Sequence, residues 1–252
     1  MSSDSLIALI SFGIIFTLEF IAPFFKNYGN RIKHTLNNLG VAAINRIIIL
    51  ACITYFTLWL DRISQSFGGI LSFIDSNVLR LSVAIILFDL WMYIWHRLNH
   101  EIYFLWRFHR MHHTDPQMDS TTAVRFHPIE IIFSYFLNFL FLTILGFDFT
   151  FLAIYNTVMV PVIIFHHSNI AFSEKSDNFL NYLIVMPRMH RVHHSEIMGE
   201  TNSNYGTIFS FWDRLFKSFR VRDDIQSITY GIGTFKNPKW QHIGGMLFLP
   251  FK

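Results

Sequence analysis

Residues 78–100 read VLRLSVAIILFDLWMYIWHRLNH, an apolar run from Val78 to Trp95 that is long enough to cross a bilayer and that ends on two histidines, His96 and His100, spaced four apart. On a helix that continues past the membrane both imidazoles leave from one face. Working outward, further apolar stretches cover Leu6 to Phe24 and about Val41 to Leu60 on one side, and Ile129 to Leu145 and Phe149 to Phe165 on the other. Only Gly146, Phe147 and Asp148 separate the last two, which predicts a tight helical hairpin in the membrane. The expected fold is all-α: a polytopic membrane bundle of about four to five spans, some of which dip in rather than cross.

Composition agrees. Hydrophobic residues make up 52% of the 252 and charged residues only 15%, against the ~25% usual in soluble chains. With 29 phenylalanines and six tryptophans the chain carries more large apolar surface than a soluble domain of this size can hide. The net charge of +3, with no run of like charges, excludes a nucleic-acid partner, and the single cysteine, Cys52, excludes internal disulfides and thiolate clusters.

The charges also set a direction. Lys26, Arg31 and Lys33 follow the first span with no acid among them, whereas Asp61 and Asp75 balance Arg62 and Arg80 after the second. The positive-inside rule then makes the first loop cytoplasmic, and counting spans onward brings His96, His127 and His166 to that same face. The C-terminus is expected there too, with an amphipathic stretch at Phe209 to Phe219 lying on the membrane surface.

Thirteen histidines are present, and eight stand in three boxes: His96 and His100; His109, His112 and His113; His190, His193 and His194. The two HxxHH triplets each predict three ring nitrogens on one helix face. A lone histidine such as His34 or His242 reads as an ordinary polar cap, and a variant His34→Ala is expected to stay near normal. The boxes read differently, because clustered imidazoles repel when protonated and lack partners when neutral unless a cation shares their lone pairs. A structural zinc takes four ligands and a catalytic zinc three, so eight or more histidines suit two metals of higher coordination number, and two iron ions fit best. HExxH is absent, since Glu101 after His100 leads into Ile102, Tyr103 and Phe104.

The text HRLNH at His96 to His100, HRMHH at His109 to His113, RFHPIE around His127, FHHSNI around His167 and PRMHRVHHSE ending past His194 resembles the fatty acid hydroxylase and sterol desaturase superfamily of membrane di-iron enzymes. NYG at Asn204 to Gly206 and WDRLF at Trp212 to Phe216 are similar to that family as well, and Lys217 and Ser218 depart from its usual text. The resemblance implies N-terminal spans over 1–76, a catalytic domain over 77–220 and a tail over 221–252, all in one structural unit. It implies the eight box histidines as iron ligands with His167 as a ninth, leaving His166 to face a neighbouring helix or the headgroups. His127 is weighed as a further ligand or as a group behind the ligands, beside Asp89, Glu101 and Asn169; Glu101 is preferred to Asp115, Glu130 and Glu196 for orienting a ring N–H.

By the same resemblance the chain hydroxylates or desaturates a lipid with O2, drawing electrons from a separate donor protein, since no GxGxxG, P-loop or cysteine cluster occurs in these residues. A metal transporter or haem-carrying electron protein would instead place histidines near the middle of spans.

Overall fold

The computed structural model describes residues 3–26, 29–64 and 68–252, with only the backbone described at 3, 4, 57–64 and 149. Among the described residues there are helices and three isolated bridges but no strand. The long helices are α1 (Ser3–Ile21), α2 (Arg31–Ser64), α3 (Asn77–Glu101), α4 (Tyr103–His113), α5 (Pro128–Leu145) and α6 (Phe149–His167). Short ones follow: α7 (Glu174–Leu180), α8 (Pro187–His193), α9 (Met198–Thr201), α10 (Phe211–Leu215) and α11 (Ile243–Phe248).

Four helices, at Arg31–Phe56, Asn77–Glu101, Pro128–Leu145 and Thr150–His167, are long and apolar enough to span a bilayer, and Ser5–Ile21 is a shorter apolar helix. Large apolar side chains point outward from them, including Leu9, Ile14, Ile47, Leu50, Ile154 and Val158, as lipid contact requires. The side chains of Asp61 and Arg62, used in the charge count, lie outside the described residues.

Local chemistry sets the helix ends. His127 caps α5 by accepting from the Ile129 amide at 3.2 Å, with Pro128 in the first helical position. Gly146 closes α5 at φ 87°, and Asp148 caps α6 through the Thr150 amide. The expected hairpin is nonetheless splayed: α5 packs chiefly on α2 and α6 on α1, which leaves a space between the two pairs that α3 faces. The second span also starts ten residues earlier than hydropathy predicts, because Arg31, His34 and Asn38 carry α2 beyond the membrane into a buried polar network.

In that network Glu19 of α1 accepts from the amides of Ser120 and Asn169 at 2.7 and 2.8 Å and pairs with Arg31. His34 bonds Asp115 at 2.8 Å, and Asn38 reaches Asp115 and Thr121. Fully buried Arg125 donates to Asn38, Thr114, Met111 and Gln241, the last drawing the C-terminal segment onto the bundle. Every buried charge here meets an opposite charge or a hydrogen bond, the condition under which burial is tolerated. The network pins the 114–125 loop, and with it the end of α4, against α1 and α2.

Candidate metal centre

The α3 helix stops at Glu101, where Ile102 turns extended (φ −91°, ψ 112°), and α4 folds back so that its buried side meets the last turns of α3. Arg191 holds α8 over the end of α6 by donating to the carbonyls of Ser168 and Ile170 at 2.9 and 2.8 Å, with its guanidinium stacked on Phe24. The ends of α3, α4, α6 and α8 come together here.

Nine imidazoles meet there in two groups, His96, His100, His109, His113 and His193 in one and His112, His167, His190 and His194 in the other. Within each group one nitrogen per ring lies within 4.8 Å of every other. The triplets are therefore split between the groups instead of presenting three nitrogens to one place. Residues four apart, His109 and His113 or His190 and His194, stay together, while His112 and His193 cross over. Helical geometry explains this, since successive side chains are turned by ~100° and neighbours such as His112 and His113 diverge.

The rings are oriented from behind. Nδ1 of His96 bonds the Tyr205 carbonyl at 2.9 Å, that of His167 the Ile163 carbonyl at 2.7 Å, and that of His193 the Ser203 carbonyl at 2.7 Å. His100 Nδ1 meets the Asn202 side chain at 3.3 Å, and His109 Nδ1 meets the Glu130 carboxylate at 2.7 Å. Each bond leaves Nε2 turned inward with its lone pair free.

The donor set fits metal ions. Nε2 of His100, His193 and His194 is buried with no hydrogen-bond partner, an arrangement that costs free energy unless something accepts those lone pairs. Nε2 of His167 lies 3.0 Å from Nε2 of both His112 and His190. Two nitrogens each ~2.1 Å from one ion at a right angle stand ~3.0 Å apart, so the spacing is that of neighbouring ligands. Burial, reinforced by the neighbouring rings, holds His112, His113, His190 and His194 well below the ordinary histidine pKa and His193 at about 3. Neutral imidazoles are the form that binds a metal.

Several expected roles move. Glu101 does not reach a ring: it is half exposed and accepts from Arg97 at 2.7 Å, and Glu130 on α5 takes the part expected of it. Asp89 lies away from the rings, accepting from Tyr155 Oη (2.6 Å), Trp212 Nε1 (2.9 Å) and the amides of Ile208 and Phe209. His127 has both nitrogens engaged, one as the α5 cap and one on the Leu247 carbonyl. Asn169 latches the backbone of Phe25 through two 2.9 Å bonds. Of the two positions expected for His166, the structure shows the neighbouring helix and not the headgroups: it is buried with its ring centroid 4.0 Å from that of His190 on α8, outside both groups. His34 belongs to the buried acid network, whereas His242 is a plain cap for α11.

The Phe209–Phe219 stretch also differs from a surface helix, since α10 is short and buries Trp212 and Asp213. Asp213 accepts from the amides of Tyr205 and Gly206 at 2.7 and 2.8 Å and from Ser218, clamping the NYG turn that presents the Tyr205 carbonyl to His96. Asn204 takes φ 56° in that turn and bonds Met189 of α8 and Arg220. This clamp is how the two non-histidine motifs serve the site.

An apolar cavity of about 270 Å³ runs from the histidines into the bundle between α3, α5 and α6. His96, His109, His112, His166, His167 and His190 form its head, Met92, Met159, Val160 and Ile163 its walls, and Phe88 and Leu152 its deep end. The imidazoles thus stand at the ends of spans, unlike an ion path or haem site across the midplane.

Polyhistidine groups at the head of an apolar cavity in a membrane bundle define an integral-membrane metalloprotein built for hydrophobic substrates. The family model for fatty acid hydroxylase matches residues 81–218, more than half of the chain, and the chain belongs to that family, which makes it an oxygenase enzyme. It is similar to the ornithine lipid hydroxylase of Rhizobium tropici, 26% identical over 90% of this chain and 70% of that protein. It is also similar to the alkylglycerol monooxygenases of Danio rerio (29% identical, 59% of this chain, 32% of that protein) and Homo sapiens (26%, 61% and 34%). The matched region spans about a third of the length of those monooxygenases. No solved structure gives a significant match.

Proposed function

We propose that the chain hydroxylates or desaturates a polar-headed membrane lipid with O2, using two iron ions, one held by His96, His100, His109, His113 and His193 and the other by His112, His167, His190 and His194. The observation that carries this reading is that both histidine groups open on one apolar cavity, so metal binding and hydrocarbon binding share a compartment. When bound, the iron pair supplies the power to attack an unactivated C–H bond with O2 and external electrons.

The protein's part is positioning. The carbonyls of Tyr205, Ile163 and Ser203 and the carboxylate of Glu130 hold the rings in one tautomer and one orientation. Met92, Met159, Val160 and Ile163 exclude water from the space below and hold a hydrocarbon segment against the histidine head. Whether an alcohol or an alkene forms then depends on which substrate carbon these walls present.

An ornithine lipid and an alkylglycerol, the compounds in the relatives' names, each join a long apolar chain to a polar head, which supports a substrate of that kind here. We assign the histidine end and the C-terminus to the cytoplasm from the Lys26, Arg31 and Lys33 loop, and electron supply to a separate donor protein. The test is purification from cells grown with and without expression of the chain, with lipid mass spectrometry. A lipid gaining one oxygen, or losing two hydrogens, only in the presence of O2 and iron-loaded protein is expected; lipid profiles that do not change refute the reading.

A further inference from the structure

The cavity lining is mainly apolar, and among its polar side chains, which include Asn99, Glu130, Ser134, Tyr135 and Thr207, two amides stand on α5 and α6. Asn138 of α5 and Asn156 of α6 both line it. Trp91 Nε1 donates to Asn138 Oδ1 at 2.7 Å, and because an indole N–H only donates, this bond fixes the orientation of the amide and leaves its NH2 end as the free donor. Asn156 Oδ1 is buried with no hydrogen-bond partner. A donor and an acceptor left over in one largely apolar space are costly.

We propose that Asn138 and Asn156 form a second recognition station for a hydroxyl group on the bound lipid, deep in the cavity. A single hydroxyl oxygen both accepts, here from Asn138, and donates, here to Asn156; an ether or ester oxygen satisfies only the first. Asn156 precedes His167 by 11 residues on α6, which places the station ~16 Å below the histidine head along the helix. The preferred substrate is therefore a lipid with a hydroxyl about that far from the oxidised carbon, beyond its head group. This rests on the cavity being the lipid chamber, as proposed above.

The test compares binding of radiolabelled methyl palmitate and its ω-hydroxy analogue to the purified protein in nanodiscs, for the wild type, Asn156→Leu, Asn156→Ala and Asn138→Leu. One added hydrogen-bonded hydroxyl is expected to favour the ω-hydroxy analogue roughly three- to tenfold in the wild type. The Asn156 variants should lose that preference while keeping methyl palmitate affinity within about twofold. Melting temperatures identify any variant that has lost its fold, and the wild-type preference needs no variant at all. Equal binding of the two probes to the wild type means that a trapped water satisfies the amides and overturns the station. So does a preference that survives in every folded variant. Failure of both probes to bind overturns the lipid-chamber reading itself, and the station with it.

Discussion

Glu130 gives the sharpest contrast between what adjacency in the chain suggests and what the fold builds. Its carboxylate accepts from His109 Nδ1 at 2.7 Å with both side chains almost fully buried. Glu130→Gln keeps an acceptor oxygen and removes the charge; Glu130→Leu removes both and strands a buried N–H, at ~1–3 kcal/mol. Groups behind metal-bound histidines are worth ~10–100-fold in metal affinity, so we expect about a tenfold loss for Gln and close to a hundredfold for Leu. The assay is the iron retained by purified protein across a series of chelator concentrations, with Glu101→Gln as the control. Glu101 is 49% exposed and paired with Arg97, so its variant should follow the wild type. Wild-type retention in Glu130→Leu, or loss of iron in Glu101→Gln, would refute the assignment.

His167→Gln should lose metal from the His112, His190 and His194 group, while His166→Gln should keep most of it; metal analysis of the two variants tests this, and the reverse ranking shows the assignment to be off by one residue. His34→Ala should destabilise the protein by ~3–5 kcal/mol, read as a lower melting temperature in detergent, because it leaves Asp115 buried without its closest charged partner. A variant as stable as the wild type means the network tolerates that charge. Burial raises the Asp213 pKa from 3.8 to about 6, so between those values the folded state keeps a proton that the unfolded chain has released. Stability from this group is full below pH ~4 and falls as pH rises through ~6, by up to ~3 kcal/mol. The melting-temperature difference between wild type and Asp213→Asn should therefore shift against the wild type over that range, and a pH-independent difference contradicts it.

Much of the architecture was legible because the bilayer imposes a simple rule: the runs at Val78 to Trp95 and Ile129 to Leu145 are apolar at the length a membrane demands, and the structure holds helices there. Helical periodicity also paired His96 with His100, but it put each triplet on one face, whereas the ~100° turn between adjacent residues sends His112 and His193 to the opposite groups. It was silent on partners supplied by other elements. Glu101 follows His100 directly, yet the chain bends at Ile102 and carries it away, whereas Glu130 arrives from 21 residues beyond His109. His34 looked isolated because its acids, Asp115 and Asp119, are some 80 residues downstream. The splay between α5 and α6 was hidden for a similar reason, since a three-residue connection says that two helices are antiparallel neighbours but not that each packs better on α2 and α1. The NYG and WDRLF motifs carry no ligand, and only the fold reveals that Asp213 ties them to the ring of His96.

The central claim is that two separate histidine groups hold two ions at the head of one cavity, and the most direct test is to count the iron. Protein produced with excess iron and purified anaerobically should contain about two irons per chain, falling to about one in His167→Gln. One iron per chain in the fully loaded wild type, or two irons retained when the His112, His167, His190 and His194 group is disrupted, would contradict the account.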